Sequence, residues 1–404
     1  MTTALQGSAL EYIPIYSLSL LGGQYFFTQD RSNFHGNASA HAVPVMKLDE
    51  EWSVLPLYKG NYQGTKSVTD SVGSGTLFQE QMDHRISLAG LYTPVETNWK
   101  FKPSLNYKRE FLKETRDEDW GKGLFDYETL GLGLEVEKVY RDPFSVRVGY
   151  DFYYIRFPNY QSLESKSGVD PNGNPLGREA AGTNVLDTMN QQLNLSASLP
   201  IPYDDPKMSL QTSYRFLWQT FPDQPIINTQ GQPNPHEPYK RQDFTNNLNM
   251  ALTYPRAILG GKARTSSAFS TGLAYNGSNQ NTFDAGQTKA VMDAYSYWSV
   301  SAGPSVSVSW GDERRSSIVG LAATWSRQNY LGRLVQNAAG QYGTDKQYQD
   351  RYLIALSYSY PIAKNFRMLA QTNMLWASSN MDYEKTYRYS YNTANYLFGF
   401  SYDY

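Results

Sequence analysis

Few residues of this chain could act as a general base, because it contains only four histidines, His35, His41, His84 and His236. Acyl hydrolysis by a serine needs a histidine beside the hydroxyl and a third group that orients the ring. The segment HGNAS brings His35 and Ser39 close in sequence, but no third partner can be traced from the alternation of side chains. We therefore predict that the chain is not an enzyme, with a lipase-type hydrolase at Ser39 as an alternative.

Other chemistry-bearing motifs are equally sparse. Cysteine is absent, and no cluster of His, Asp and Glu has the spacing of a metal site. No glycine-rich phosphate-binding motif occurs. A net charge of -2 predicts no bulk attraction to nucleic acid. We expect no cofactor, no metal and no nucleic-acid partner.

A larger set of charged residues lies in segments where apolar and polar residues alternate. Between 99 and 108, Lys100, Lys102 and Lys108 alternate with aromatic and aliphatic residues. Successive side chains of a β-strand point to opposite faces, so these charges share one face. The residues predicted in this way to line a polar interior are Arg85, Lys100, Lys102, Lys108, Glu135, Glu137, Arg147, Asp151, Lys207, Arg215, Asp243, Lys262, Arg264, Arg351 and Arg367.

With Asp83, Glu110 and Asp403, which share that parity, the set holds eleven cations and seven anions. A mild excess of cations would bias a pore towards anionic or neutral polar solutes. Alternatively, the charges pair across neighbouring strands and only hydrate the wall. The sequence leaves both interpretations open.

The alternation extends over about sixteen runs, with a range of fourteen to eighteen. It is clearest after residue 82, whereas glycines and prolines such as Gly23, Pro44 and Pro56 blur it between 12 and 62. One run ends at Ser326 and the next begins at Arg351. Long connections alternate with short ones, which are predicted at 48–51, 93–96, 140–143, 202–205, 310–315 and 360–365.

The length of the runs favours a membrane protein. Most hold their alternation for ten or more residues, against about 5–6 in ordinary globular strands and about 9–11 in a tilted transmembrane strand. Aromatic residues, 15% of the chain, cluster at the ends of apolar faces, as Trp298 and Trp310 do. Because lipid cannot donate or accept hydrogen bonds, the apolar face must point outward. We predict an all-β fold, a transmembrane antiparallel up-and-down β-barrel with an aqueous lumen.

The last nine residues, YLFGFSYDY, place five aromatic residues on one parity: Tyr396, Phe398, Phe400, Tyr402 and Tyr404. This pattern resembles the carboxyl-terminal signal strand of bacterial outer-membrane β-barrels. The resemblance implies that the barrel-assembly machinery recognises these side chains and that the chain resides in the bacterial outer membrane. An edge strand of a soluble sandwich is the alternative. To close a barrel, this strand must pair with the segment near residues 13–27.

In barrel size, tyrosine content and terminal strand, the chain resembles the barrel domains of exopolysaccharide export porins of the cellulose and poly-N-acetylglucosamine type. Those domains follow periplasmic helical repeats, so the resemblance implies export of a polar oligo- or polysaccharide, an anionic one included. A general or substrate-selective diffusion porin is the alternative. General porins fold a long third loop into the channel, whereas the connection at 113–122 is short and charged. A barrel that assists surface-protein assembly is a further alternative.

We expect one barrel domain over residues 1–404, with 1–12 as a short periplasmic lead-in. An even number of strands would place both termini in the periplasm. The amino terminus lacks the pattern of a signal peptide, so an exported chain would be either a mature form or, as we favour, a fragment with an added Met1. The resemblance to export porins implies a periplasmic helical-repeat domain upstream in a longer chain. Other expected partners are outer-membrane lipid, lipopolysaccharide and the barrel-assembly machinery.

Overall fold

The computed structural model describes residues 11–28, 33–64, 67–69, 76–115, 117–142, 144–160, 184–202, 207–228, 240–283, 289–312, 315–384 and 388–404. Within these residues the chain forms sixteen antiparallel strands, each paired with its neighbour in sequence. The last strand also pairs with the first, which closes the sheet into a barrel. The predicted fold and strand number are confirmed. No helix of the described residues is long and apolar enough to cross a bilayer.

Prolines interrupt the first two strands, because proline lacks the N–H that a ladder needs. Strand β1 comprises Glu11–Ile13 and Tyr16–Phe27, on either side of Pro14, and β2 comprises Asn33–Ala42 and Val45–Lys47, on either side of Pro44. The other strands are β3 (Trp52–Gln63), β4 (Glu80–Tyr92), β5 (Trp99–Lys113), β6 (Tyr127–Arg141), β7 (Phe144–Arg156), β8 (Thr188–Ile201), β9 (Met208–Pro225), β10 (Lys240–Ile258), β11 (Ala263–Ser278), β12 (Tyr297–Trp310), β13 (Ser317–Gln336), β14 (Tyr342–Ala363), β15 (Phe366–Ser379) and β16 (Tyr391–Asp403).

Long and short connections alternate, as predicted, so one end of the barrel carries loops and the other carries turns. A short 3-10 turn, Leu259–Gly261, links β10 to β11 at the turn end. Two small hairpins extend the loop end, Ser67–Thr69 with Thr76–Phe78 and Thr282–Phe283 with Ala290–Val291. Strands β13 and β14 run further towards the loop end than the sequence predicted, and their pairing reaches Gln336 and Tyr342.

The seam between β1 and β16 pairs Ser17 with Asp403 at one end and Phe27 with Thr393 at the other. At its turn end, the Tyr16 amide donates to the Tyr404 carbonyl at 3.0 Å. The predicted pairing of the terminal strand is therefore confirmed. A methyl group on Gly23 would lie 1.8 Å from the Tyr396 carbonyl oxygen. Only glycine allows this approach, which explains why the alternation is blurred there.

The outer surface is apolar and exposed. On β6, Leu130 and Leu132 keep 58% and 61% of their surface accessible, which in water would create an aggregation-prone patch. Lipid contact makes the same exposure favourable, and the ladder satisfies the backbone polar groups. The sheet therefore presents its apolar parity to the hydrocarbon core of a membrane.

Aromatic residues mark both edges of the apolar band. Trp298 and Trp310 lie twelve residues apart on β12, roughly 40 Å along the strand and roughly 28 Å in height at a tilt of about 45°. At the turn end, Trp52 stacks on Tyr92 with ring centroids 4.6 Å apart. Closed even-stranded barrels with such belts are barrels of the bacterial outer membrane, and the chain is located there.

Candidate functional site: the inner wall of the barrel

The polar parity of the strands faces the lumen. A cavity of about 660 Å³ is lined by residues as far apart in the sheet as Lys100 on β5, Arg147 on β7, Asn249 on β10 and Ser301 on β12. Strands so distant in sheet order can share a cavity only on the concave side of a closed sheet. The inner wall is thus the surface that a solute in the barrel would contact.

One side of the inner wall, formed by β3 to β7, is densely charged, and we call it the charged wall. Strand register places its charges opposite one another on neighbouring strands. Its described charged residues are Lys59, Asp83, Arg85, Lys100, Lys102, Lys108, Glu110, Glu135, Glu137, Arg147 and Asp151. Six cations and five anions nearly balance, which supports the pairing interpretation.

The centre of the charged wall is Glu137, whose side chain is only 5% exposed. Its carboxylate accepts hydrogen bonds from Arg147 Nε at 2.8 Å and from Lys102 Nζ at 3.3 Å. Lys100 Nζ lies 3.9 Å away, and Lys102 also donates to Glu135 at 2.7 Å. Burial of a carboxylate is unfavourable unless it is paired and hydrogen-bonded, so these contacts stabilise Glu137 in the wall.

Other charges of the wall bind polar neighbours. Lys108 donates to Glu110 and also contacts the Tyr127 hydroxyl at 2.9 Å. The Asn61 amide donates to both oxygens of Asp83 at 3.0 Å. In the same way, the Asn194 amide donates to Asp151 at 2.8 Å. Amide donors therefore bind the carboxylates of Asp83 and Asp151. Cations bind the carboxylates of Glu110, Glu135 and Glu137.

The opposite side of the inner wall is built from small uncharged residues, and we call it the neutral wall. It is the inner face of β11 to β13. Its positions from Ser266 to Ser278, from Ser299 to Ser309 and from Gly320 to Ser326 hold serine, alanine, glycine, threonine and asparagine. These side chains are short, so the lumen is wider on this side.

The remaining predicted lumen residues are scattered. Arg215 is exposed on the inner face of β9, and Arg351 on β14 donates to Gln349 at 2.7 Å. Arg367 on β15 donates to the Ser359 hydroxyl at 2.7 Å and to the Ser316 carbonyl at 2.6 Å. These bonds link β15 to β14 and to the residue that precedes β13.

Four predicted lumen residues lie at the turn end. Lys207 and Lys262 occupy turns before β9 and β11, not strands. Arg264 is the second residue of β11, and Asp403 is the last residue of β16. Alternation continues past a strand's end in the sequence, so it could not show where the strand stops.

Asp243 is engaged in a buried pair that sequence analysis missed. Arg241 donates to it from Nε at 3.2 Å and from Nη2 at 2.6 Å. The guanidinium also lies between the rings of Phe221 and Tyr295, 4.1 Å and 3.9 Å from their centroids. This sandwich attaches Tyr295, which precedes β12, to the inner wall, a role that no local pattern around Arg241 would reveal.

An aromatic cluster inside the loop end was also missed. Tyr25 and Phe27 of β1 pack there with Ala377 and Tyr391, and all four are buried. The inward residues of β1 are serines near the turn end, and beyond Gly23 they are the aromatic residues Tyr25 and Phe27. The change of residue type along one face is the signal that would have located the cluster.

Of the three described histidines, His35 and His41 lie on the inner face of β2 and His84 lies on the outer face of β4. His35 and Ser39 both lie on the inner face of β2, two rungs apart, and the Ser39 hydroxyl is hydrogen-bonded to Ser19 at 2.7 Å. His84 lies on the outer face beside Tyr58, whose hydroxyl is 2.9 Å from Nδ1. His236 falls outside the described residues. Within the described part of the chain, no group of three or more His, Asp or Glu could hold a metal ion.

Trp120, in the connection between β5 and β6, packs against the outside of the rim. Trp120 lies edge-on to Tyr62, an outward residue of β3, with centroids 6.2 Å apart. Asp126 accepts hydrogen bonds from the amides of Leu112 at 2.8 Å and Gly123 at 3.2 Å. Burial nevertheless raises the pKa of Asp126 above its ordinary value. The Trp120 ring therefore lies outside the barrel wall.

No protein-family model and no curated protein matches the sequence. Solved structures similar to this chain include "Bacterial polysaccharide outer membrane secretin", with 8% identity, 96% of this chain and 98% of that chain covered, and a TM-score of 0.46. OccD3 of Pseudomonas aeruginosa has 10% identity, coverages of 98% and 93%, and a TM-score of 0.47. An anion-selective porin from Comamonas acidovorans has 8% identity, coverages of 98% and 100%, and a TM-score of 0.40. At such low identities and scores, the functions of these proteins do not transfer to this chain.

Proposed function

We propose that this barrel is an outer-membrane channel for polar solutes and that its cargo is an exported polysaccharide. The observation that carries the proposal is the accessibility of the inner wall. Lys100, Glu135 and Arg147 point into the barrel, yet their side chains keep 39%, 40% and 48% exposure. Charged groups are stable there because water can reach them. A lumen with room for that water can pass hydrated molecules.

The proposed orientation places the termini and the short turns in the periplasm and the loops outside the cell. Short periplasmic turns and longer external loops are the rule for barrels of this membrane. The same orientation places the loop end of the outer surface against lipopolysaccharide.

Polysaccharide export is supported by the outward position of Trp120 in the β5–β6 connection. Because this ring packs outside the rim, it does not occupy the lumen through which a polymer would pass. A periplasmic helical-repeat partner that delivers the polymer belongs to the same proposal. A diffusion porin is the second candidate, supported by the nearly balanced charges of the charged wall, which would pass small solutes of either sign.

An enzymatic role receives less support from the geometry. A lipase-type site would need an accessible serine beside a histidine on the outer wall. Ser39 instead lies inside, bonded to Ser19, so a Ser39→Ala variant should keep whatever phospholipid hydrolysis a detergent-solubilised preparation shows.

The channel is tested by single-channel recording in a planar bilayer. Folded protein should give a steady conductance proportional to voltage, and the same protein denatured by heat should give none. Absence of conductance from folded protein would overturn the channel. In cells, loss of an exporter should remove surface polysaccharide, whereas loss of a diffusion porin should slow the uptake of small solutes.

The terminal strand allows a separate test of the proposed assembly signal. Tyr402 and Tyr404 lie on the outward parity with Phe398 and Phe400, and the two tyrosines are 44% and 60% exposed. A Tyr402→Ala, Tyr404→Ala variant should reduce the folded protein in the outer membrane severalfold, measured by heat-dependent gel mobility. The matched control is Tyr358→Ala, Tyr360→Ala, which removes two outward aromatic residues at the turn end of another strand. Equal losses in both variants would contradict a signal specific to β16.

A further inference from the structure

We infer that the lumen contains a binding track for an uncharged oligosaccharide, and this inference rests on the channel function proposed above. The track is one row of inward residues, each directly opposite the next on the neighbouring strand. From β5 to β12 the row reads Lys100, Glu137, Arg147, Ser196, Ser213, Asn249, Gly272 and Ser301. All of them except Gly272 line the cavity of about 660 Å³.

The row presents hydrogen-bonding groups at regular intervals. Neighbouring strands lie about 4.8 Å apart, so successive side chains of the row follow one another at about that spacing. Serine hydroxyls and asparagine amides both donate and accept hydrogen bonds. A linear saccharide likewise presents donors and acceptors along its whole length. The row therefore matches the chemistry of a polyhydroxylated chain laid across the strands.

Gly272 keeps the row continuous. A methyl group at this position would lie 2.6 Å from Ser301 Oγ and 2.9 Å from Asn249 Oδ1. The hydroxyl and the amide therefore extend over Gly272 from both sides. Their approach leaves polar atoms, and no apolar side chain, at this point of the track.

The charges at one end of the track are balanced. The cavity lining holds two cations, Lys100 and Arg147, and two anions, Glu137 and Asp142. Arg147 already binds Glu137 through Nε, so the end has no net charge to attract an ion. Charged groups still make strong hydrogen bonds to sugar hydroxyls. This balance favours an uncharged chain over an anionic one.

Binding along the track must be weak. Hydrogen bonds to a sugar replace hydrogen bonds to water, so each adds little net affinity. None of the described lining residues is aromatic, and stacking on a ring is therefore absent from this lining. Weak binding at several positions lets a cargo enter and also leave, as passage through a channel requires.

The test is the blocking of single-channel current by maltohexaose, compared with hexagalacturonate as an anionic probe of equal length. Maltohexaose should interrupt the current of the full chain, and hexagalacturonate should do so less. A Ser213→Ala, Asn249→Ala variant should shorten the maltohexaose blocking events about five- to tenfold, because two hydrogen bonds are lost. The matched control, Asn37→Ala with Ser307→Ala, removes the same groups from the inner wall outside the cavity and should leave the events unchanged.

Heat-dependent gel mobility first establishes that each variant is folded. An open channel that maltohexaose does not block, or that hexagalacturonate blocks better, would overturn the track and leave the channel intact. Equal shortening in the variant and its control would also overturn it. A folded protein without any conductance would overturn the proposed function itself.

Discussion

The charged wall and the neutral wall are made by the same backbone ladder but differ in what their side chains do. On β3 to β7, long charged side chains extend inward and bind one another, as Lys102 does with Glu135 and Glu137. On β11 to β13, serine, alanine and glycine end close to the sheet. The open part of the lumen is therefore displaced towards the neutral wall. Residue size, as well as strand number, sets the shape of this lumen.

The two walls also differ in where their stability originates. A buried carboxylate such as Glu137 depends on three neighbouring cations, so one change there affects several contacts. The neutral wall depends on backbone pairing, so only a change that reaches the backbone should matter.

The largest effect is expected from Glu137→Ala. It removes the shared partner of Lys100, Lys102 and Arg147 and should lower the free energy of unfolding by about 2–3 kcal/mol, less than for a fully buried pair because the cations can reach water in the lumen. Urea unfolding in lipid vesicles measures it. The control is Glu135→Ala on the same strand, whose side chain is 40% exposed and should cost about 1 kcal/mol or less. Equal losses would contradict a central role for Glu137.

On the neutral wall, Gly303→Ala should be the damaging change. Its methyl group would lie 2.0 Å from the Ala323 carbonyl oxygen, so the backbone must shift at a cost of about 1–3 kcal/mol. In Gly320→Ala the methyl group meets only the Ser357 hydroxyl, at 2.7 Å, which can rotate away. The same urea titration should show a clear loss for the first variant and little for the second.

Ion selectivity should respond to the charged wall. Lys100→Gln with Arg147→Gln leaves Glu137 and Glu135 with fewer cations, so the permeability ratio of K⁺ to Cl⁻ should rise roughly two- to threefold, limited by screening over about 8–10 Å. The reversal potential in a KCl gradient measures the ratio. Ser299→Gln with Ser307→Gln adds comparable bulk without charge to the neutral wall and should leave the ratio unchanged. An unchanged ratio in both variants would show that ions do not pass near the charged wall.

The smallest effect is expected from Ser307→Ala on the neutral wall. The change removes one hydroxyl that faces the lumen and should alter the free energy of unfolding by less than about 0.5 kcal/mol. A larger loss in the urea titration would show that the neutral wall also contains side-chain contacts important for stability.

Much of this fold was predictable because a membrane imposes one rule on every strand. Alternation assigned the outward face wherever a strand crosses lipid, as from Trp298 to Trp310. Beyond the lipid both faces of a strand contact water, so the alternation no longer indicates which face points outward. In this region the aromatic side chain of Tyr25 faces inward. Arg327 and Asp350 form an outward-facing ion pair near the rim, with Nη1 and Oδ2 3.8 Å apart. For the same reason, β13 and β14 were predicted too short.

The site was less predictable than the fold. Parity indicated that Lys102 and Glu137 share a face, but their contact depends on the register between β5 and β6. No single strand encodes that register. Lys59, which faces the lumen on β3 opposite Arg85, was missed because Pro56 and the nearby glycines obscured the alternation. The row of residues from Lys100 to Ser301 likewise emerges only when eight strands are aligned.

The seam between β1 and β16 has a consequence for how the barrel forms. It joins Ser17 to Asp403, residues separated by almost the whole chain, while every other strand pair is local in sequence. Contacts between distant segments are slow to form because the chain must first bring its ends together. Closure is therefore expected to be the last and slowest event of folding, after the local hairpins have assembled.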